Sequence, residues 1–265
     1  MPRLFILQLL LTLAVGTLWI YLTALAGSRF GSRIGGFIGG LPSTALLSFF
    51  FIGYTQSPEL AARATTVFPL AIGASGMFLV VYAWLSQRGF LPALSLGLAA
   101  WIALSLLIAR LHPEDFATNL LVYALVMLLA LLVLERALSV RSITTAQASP
   151  APAHMAVRSA FGGLTIMLTV LIAKVGGPFL GGLAAAFPAM FIATLTIAYR
   201  TQGIEFSRAL TKPLLATGMI TVAVYAVGIR YLYPATGLYL GTLLAALISA
   251  VSAYLTLRFV LRRLT

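Results

Sequence analysis

The stretch Gly35-Gly36-Phe37-Ile38-Gly39-Gly40-Leu41-Pro42-Ser43-Thr44 is apolar, rich in small residues and interrupted by a proline. The chain repeats this pattern as Gly181-Gly182-Leu183-Ala184-Ala185-Ala186-Phe187-Pro188-Ala189-Met190. Small residues four apart let two helix backbones approach closely. A proline within a helix removes one backbone hydrogen bond and clashes with the preceding turn, so the carbonyls of Ile38 and Ala184 are expected to lose their usual donors. In lipid such carbonyls are costly unless protein, water or a ligand satisfies them.

The repetition extends well beyond the motif. Shifting the chain by 146 residues lays Gly16–Thr65 over Gly162–Thr211 without a gap, and 14 of these 50 positions are identical. Thr55-Gln56 and Glu59 fall on Thr201-Gln202 and Glu205. Paired Gly-rich, Pro-interrupted apolar segments in corresponding halves are the sequence pattern of a transport site at a repeat interface.

Composition supplies the setting. With 61% hydrophobic and 8% charged residues and a mean hydropathy of +1.06, the chain is an all-α polytopic membrane protein. Nine helices are expected, over about 5–27, 35–54, 66–86, 91–110, 117–138, 157–175, 179–200, 211–232 and 236–261, each about 20 apolar residues long. The first has the Met1-Pro2-Arg3 start and the Ala24-Leu25-Ala26 ending of a signal peptide. Its apolar run is too long for a signal core, and it aligns with a mid-chain helix, so it is read as part of the mature fold.

The 17 Lys and Arg against 5 Asp and Glu are spread over helix ends, which argues against a nucleic-acid surface. Counted over alternate connections, Arg3, Arg63, Arg110, Lys174 and Arg230 lie on one side and the other twelve on the opposite side. The positive-inside rule makes the twelve-residue side cytoplasmic, with the N-terminus outside and the C-terminus inside, as in a bacterial inner membrane. Five helices separate the starts of the two repeats, and an odd number inverts the second. The expected layout is a four-helix repeat over 1–112, a connecting helix and flexible linker over 113–156, and an inverted four-helix repeat over 157–265.

A polar ligand at the paired breaks would meet Gly39, Gly40, Pro42, Ser43 and Thr44 from one half and Ala185, Pro188 and Thr194 from the other, with Ser48 nearby. Close packing without any ligand is the competing account of the same residues. Beyond each broken helix, Gln56 with Glu59 and Gln202 with Glu205 form a matched pair of gating or coupling candidates. The first of these also reads as a helix start, with Thr55 or Ser57 as cap, Pro58 in the first turn and Glu59 at the positive end of the dipole. Lys174, Arg110 and Arg230 read as helix-end anchors. Trp19, Tyr21, Tyr82, Trp84, Tyr199, Tyr231 and Tyr233 read as an interfacial belt.

The sequence has no cysteine, and its two histidines, His112 and His154, fall in connections, so neither a metal nor any other cofactor is expected. No His, Cys or carboxylate cluster falls within the spans, so no catalysis is expected. The expected partners are the lipid bilayer and a small solute or ion, with no nucleic acid, and the chain is expected to work as a monomer or homodimer. The expected function is a transporter of a small polar solute or ion by alternating access. A lipid-handling or scaffold protein, or a channel, is the alternative.

Gly35-Gly36-Phe37-Ile38-Gly39-Gly40-Leu41-Pro42, with Thr55-Gln56-Ser57-Pro58-Glu59 and the apolar run from Val67, resembles a bacterial family of small four-helix membrane proteins of unknown function. Those proteins carry a similar Gly-Gly-x-Ile-x-x-Leu-Pro segment and a Thr-Gly-Asp-like turn. The first repeat is the closer match, and Gln56-Ser57 stand where that family tends to have Gly-Asp. The resemblance implies a four-helix unit in each half and supplies no substrate.

Overall fold

The computed structural model describes residues 3–29, 42–140, 151–256 and 258. Every regular element among them is helical: α1 Arg3–Arg29, α2 Ser43–Thr55, α3 Pro58–Ala64, α4 Phe68–Leu85, α5 Phe90–Leu111, α6 Phe116–Leu132, α7 Pro152–Ala185, α8 Ala189–Ala209 and α9 Met219–Leu255. α6 continues into a π turn over Val133–Ala137, and a short turn Thr211–Pro213 and a second π turn Leu214–Gly218 lead into α9. Among the described residues six stretches are long and apolar enough to cross a membrane, and the protein is a multi-pass membrane protein. α2 is apolar but only 13 residues long.

Three glycines interrupt the longer helices. Gly177, Gly203 and Gly237 have φ of 82°, 83° and 77°, so α7, α8 and α9 each consist of two straight segments joined at a left-handed residue. With these joints, the elements of the two halves correspond in order. α1 matches the first segment of α7, α2 the first segment of α8, α3 the short second segment of α8, and α4 and α5 the two segments of α9. Among the described residues α6 has no counterpart.

α1 and the first segment of α7 cross at small residues. A Cβ at Gly163 would stand 2.8 Å from the nitrogen of Thr17 and 2.9 Å from the carbonyl of Leu13, so the two backbones touch. Lys174, near the far end of that segment, places its ammonium 5.8 Å from the ring of Phe5. Partner numbers fall along α7 as they rise along α1, so these corresponding helices run antiparallel. Their contacts are reciprocal: Gly16 faces Ile166, and Gly162 and Ile20, the residues at the corresponding positions, face each other. Gly53 packs against Leu238, and its counterpart Tyr199 stacks on Phe90, with ring centroids 4.2 Å apart. Leu238 and Phe90 each directly follow a glycine of positive φ, Gly237 and Gly89.

α4 is the central helix. Of its most apolar window, 78% is buried, against 22% for α5 and 28% for α6. Its own Phe68, Phe78 and Tyr82 are fully enclosed, as are Phe49 of α2 and Leu195 of α8. Leu91, Leu106, Leu121, Leu129 and Val251 point outward, as lipid-facing positions require.

The tyrosine belt is corrected in part. Trp19, Trp84, Tyr199 and Tyr231 are exposed, but Tyr82 and Tyr233 are buried. The Tyr82 hydroxyl pairs with Ser207 at 2.7 Å and that of Tyr233 with Thr242 at 2.7 Å, so internal partners and not headgroups satisfy them.

Candidate functional site

The break at Pro188 takes shape from its missing N–H. α7 stops at Ala185 and α8 restarts at Ala189, with Pro188 at φ −77° and ψ 38° as the N-cap. Pro42 precedes α2 in nearly the same conformation, φ −77° and ψ 53°. Each proline carbonyl then accepts the first bond of the helix it starts, from Leu46 N at 2.7 Å and from Ile192 N at 2.9 Å. Equivalent prolines thus begin equivalent helices.

The carbonyl expected to be free is in fact engaged. Ala184 loses Pro188 as a donor, but the chain tightens by one residue and Phe187 N donates to it at 3.0 Å. Ala186 N turns to Leu183, and Ala189 N to Phe187. The Ala186 carbonyl accepts from Ser75 Oγ of α4 at 2.6 Å, and that hydroxyl is itself held by Trp101 Nε1 at 3.0 Å. Among the described residues, the carbonyl left without a donor at this break is that of Ala185.

Gly39 and Gly40, like Gly35, Gly36 and Ile38, lie outside the described residues. Pro42, Ala185 and Pro188 are buried, while Ser43, Thr44 and Thr194 are half-buried. Among the described residues the hydroxyls of Ser43, Thr44 and Thr194 make no hydrogen bond, whereas Thr55, Thr165, Thr169, Thr196 and Thr242 each donate to the carbonyl four residues back. Both α2 and α8 pack on α7, and among the described residues they share no substantial contact with each other. Pro42 and Pro188 are therefore related through α7 and not by touching.

The cap after α2 is built by Ser57. Its Oγ accepts from Leu60 N at 3.2 Å, with Pro58 in the first turn, while Thr55 donates back to Phe51. Its own backbone N–H and the Ser57 hydroxyl hold the Glu59 carboxyl below its ordinary value, and Glu59 is exposed. Gln56 is half-buried with Nε2 enclosed and without a partner, whereas Gln202 and Glu205 are exposed.

Two arginines occupy reciprocal positions that their sequence context did not reveal. Arg230 donates to the Ala62 carbonyl at 3.3 Å and to Thr66 Oγ1 at 2.8 Å, closing the end of α3. Arg208, at the position corresponding to Ala62, donates to the Ala83 carbonyl at 3.2 Å and to that of Leu138 at 2.7 Å. Arg230 is thus more than a helix-end anchor, while Lys174 and Arg110 are exposed as expected. Lys212 is buried, with its ammonium 4.0 Å from Glu135. His112 stacks on Phe179 and stands 3.7 Å from Glu114, and among the described residues no group of His, Asp and Glu could hold a metal.

A separate cleft of about 450 Å³ lies between α6 and α9, lined by Leu120, Val224, Val227, Tyr231, Leu232 and Ile248 and almost wholly apolar. It is remote in character from the polar groups at the breaks. No protein-family model matches the chain, and no curated protein or solved structure shows significant similarity to it.

Proposed function

We propose that the chain is a membrane transporter of a small polar solute or ion, working by alternating access between two inverted four-helix repeats joined by α6. The observation that carries the reading is the Pro188 break. There the Ala185 carbonyl has no donor and the nearby Thr194 hydroxyl no partner, inside a protein whose other helix hydroxyls are mostly satisfied. Polar backbone left open at membrane depth is tolerated where it lines a cavity or meets a ligand. The matching conformation of Pro42, with Ser43 and Thr44 unpaired beside it, supplies the second half of the path.

The antiparallel crossing of α1 with α7 and the reciprocal contacts of Gly16 and Gly162 support inversion. Taking the second segment of α7 with the first of α8 as one broken crossing, and the two segments of α9 as one crossing each, supports a count of nine. The four-helix unit implied by the family resemblance fits each half. The N-terminus is then outside and the C-terminus cytoplasmic, as the charge distribution favours, in a bacterial inner membrane.

The test is uptake of a panel of small polar solutes and ions into reconstituted vesicles by the native chain, Pro42→Ala and Pro188→Ala. Saturable uptake that falls at least tenfold in both variants is expected. Native-rate transport by two well-folded variants would reduce the breaks to packing features. A second reading, lipid handling, is favoured by the apolar cleft beside α6; lipid scrambling in the same vesicles without solute uptake would select it.

A further inference from the structure

At the start of α7, a cation sits among apolar helices with nothing to neutralise it. Arg158 is half-buried, and its Nε is fully enclosed without a hydrogen-bond partner. One turn earlier on the same face, His154 Nδ1 is likewise enclosed and unpartnered. All five Asp and Glu of the sequence have other places. Glu59 and Asp115 start helices, Glu114 stands by His112, Glu135 by Lys212, and Glu205 is exposed.

Helix geometry identifies what these groups face. A Cβ on Gly162 would meet both Ile20 of α1 and Met190 of α8, so this face of α7 looks into the groove between those helices. Beyond the Gly177 joint the chain doubles back: Gly181, on the second segment of α7, faces Ala173, and Met190, at the start of α8, faces Gly162, so the chain entering α8 runs antiparallel to the first segment of α7. One turn from Gly162 toward the start of α7, Arg158 therefore stands level with Thr194 on α8 and Ala24 on α1. A further turn brings His154 level with Ala198. The residues opposite, Ala24 and Ala198, are small, and the Thr194 hydroxyl has no partner among the described residues.

We propose that this recess binds a phosphate group, held by the Arg158 guanidinium, His154 Nδ1–H and the Thr194 hydroxyl. The three side chains offer donors converging from two helices, and they have no acceptor among the described residues. A guanidinium fork engages two oxygens of a tetrahedral oxyanion and leaves others for a hydroxyl and an imidazole. The site exists in one half only. At the corresponding positions of α1 stand Gln8 and Thr12, neutral, with the Thr12 hydroxyl already donating to the Gln8 carbonyl at 2.8 Å. The phosphate belongs either to a soluble compound or to a phospholipid headgroup, and the proposal stands whether or not the protein transports.

The full chain in a maltoside detergent is titrated calorimetrically with inorganic phosphate. In parallel, phosphatidylglycerol retained after reconstitution in nanodiscs is counted by native mass spectrometry. Native protein is expected to bind one of the two. Arg158→Gln should weaken that binding by about tenfold or more, as expected for loss of a charge-assisted contact. Thr194→Val should weaken it less, and Arg136→Gln, an exposed arginine elsewhere, should leave it unchanged. Phosphate binding alone assigns a soluble ligand, and phosphatidylglycerol alone a lipid. If Arg158→Gln does not fold, Arg158→Lys keeps the charge without the fork and should still bind more weakly. The proposal is overturned if native protein binds neither probe, or if every folded variant at Arg158 binds like the native chain.

Discussion

At Gln56-Ser57 and at Gln202-Gly203 the two halves pass into the next helix with different backbones and different chemistry. Ser57 is extended, with φ −163°, and accepts a hydrogen bond from the next helix, whereas Gly203 turns the chain with φ 83° and no side chain. At the central crossing the halves differ again. Thr17 on α1 projects onto Gly163 on α7, and Gly163 is the residue at Thr17's own corresponding position. One half carries the bump and the other the hollow. At this crossing the two corresponding helices carry complementary side chains.

The sharpest way to break this comparison is to exchange the bump and the hollow. Gly163→Thr forces a side chain onto the backbone of Thr17 and Leu13, neither of which can yield cheaply. It is expected to cost about 3 kcal/mol or more and to abolish monodisperse protein in detergent. The double variant Thr17→Gly with Gly163→Thr should recover most of that loss in thermal melts, because the crossing is reciprocal. Failure of the double variant to recover would show that α1 and α7 are not interchangeable.

Smaller effects come from the hydroxyl on α4. Ser75→Ala leaves the Ala186 carbonyl and Trp101 Nε1 unpaired, at a cost of about 2–4 kcal/mol for two buried groups. In the second half Ser249 donates to the carbonyl of Thr221, the residue corresponding to Ser75, at 2.8 Å. Ser249→Ala should cost about 1 kcal/mol, since it removes one buried hydrogen bond to a carbonyl inside a helix. Equal melting shifts for the two variants would contradict this ranking.

The smallest effects lie at the turns. Ser57→Ala removes a cap at about 1 kcal/mol, and Gly203→Ala strains a left-handed residue in open space by about 1 kcal/mol. Only the first should change the response to acid. Its own backbone N–H and the Ser57 hydroxyl hold Glu59 below its ordinary 4.5, and the backbone N–H of Thr118 holds Asp115 below 3.8. Carboxyls lowered on folding contribute stability that is complete above those ordinary values and is lost as pH falls through the lowered ones. Melting measured at pH 7 and pH 3 should therefore drop less in Ser57→Ala than in the native chain or in Gly203→Ala.

What was legible in the sequence was local. The Ser57-Pro58-Glu59 helix start and the interruption at Pro188 depend on neighbours within four residues, and both stand where the residue types put them. The fate of the freed carbonyl was not legible. Ala184 was taken by Phe187 through a tightened turn, and Ala186 by a serine 111 residues away. Tyr82 and Tyr233 misled because a tyrosine near the end of an apolar run satisfies its hydroxyl equally well with headgroups or with an internal serine or threonine. Arg158 was counted as one more positive charge, since nothing in its immediate sequence tells of the enclosure formed by α1 and α8.

The contacts of the second half's broken helix impose an order in time on a molecule whose halves correspond in space. The segment from Pro178 to Ala185 is too short to cross a bilayer alone, and it settles where Gly182 lies against the Ala64 carbonyl and Ala186 against Ser75. Both docking points belong to the first half, which leaves the ribosome more than a hundred residues earlier. During synthesis the first half is thus a template already in the membrane when the second arrives, and a circular permutant beginning at Pro152 would have to insert this segment before its seat exists.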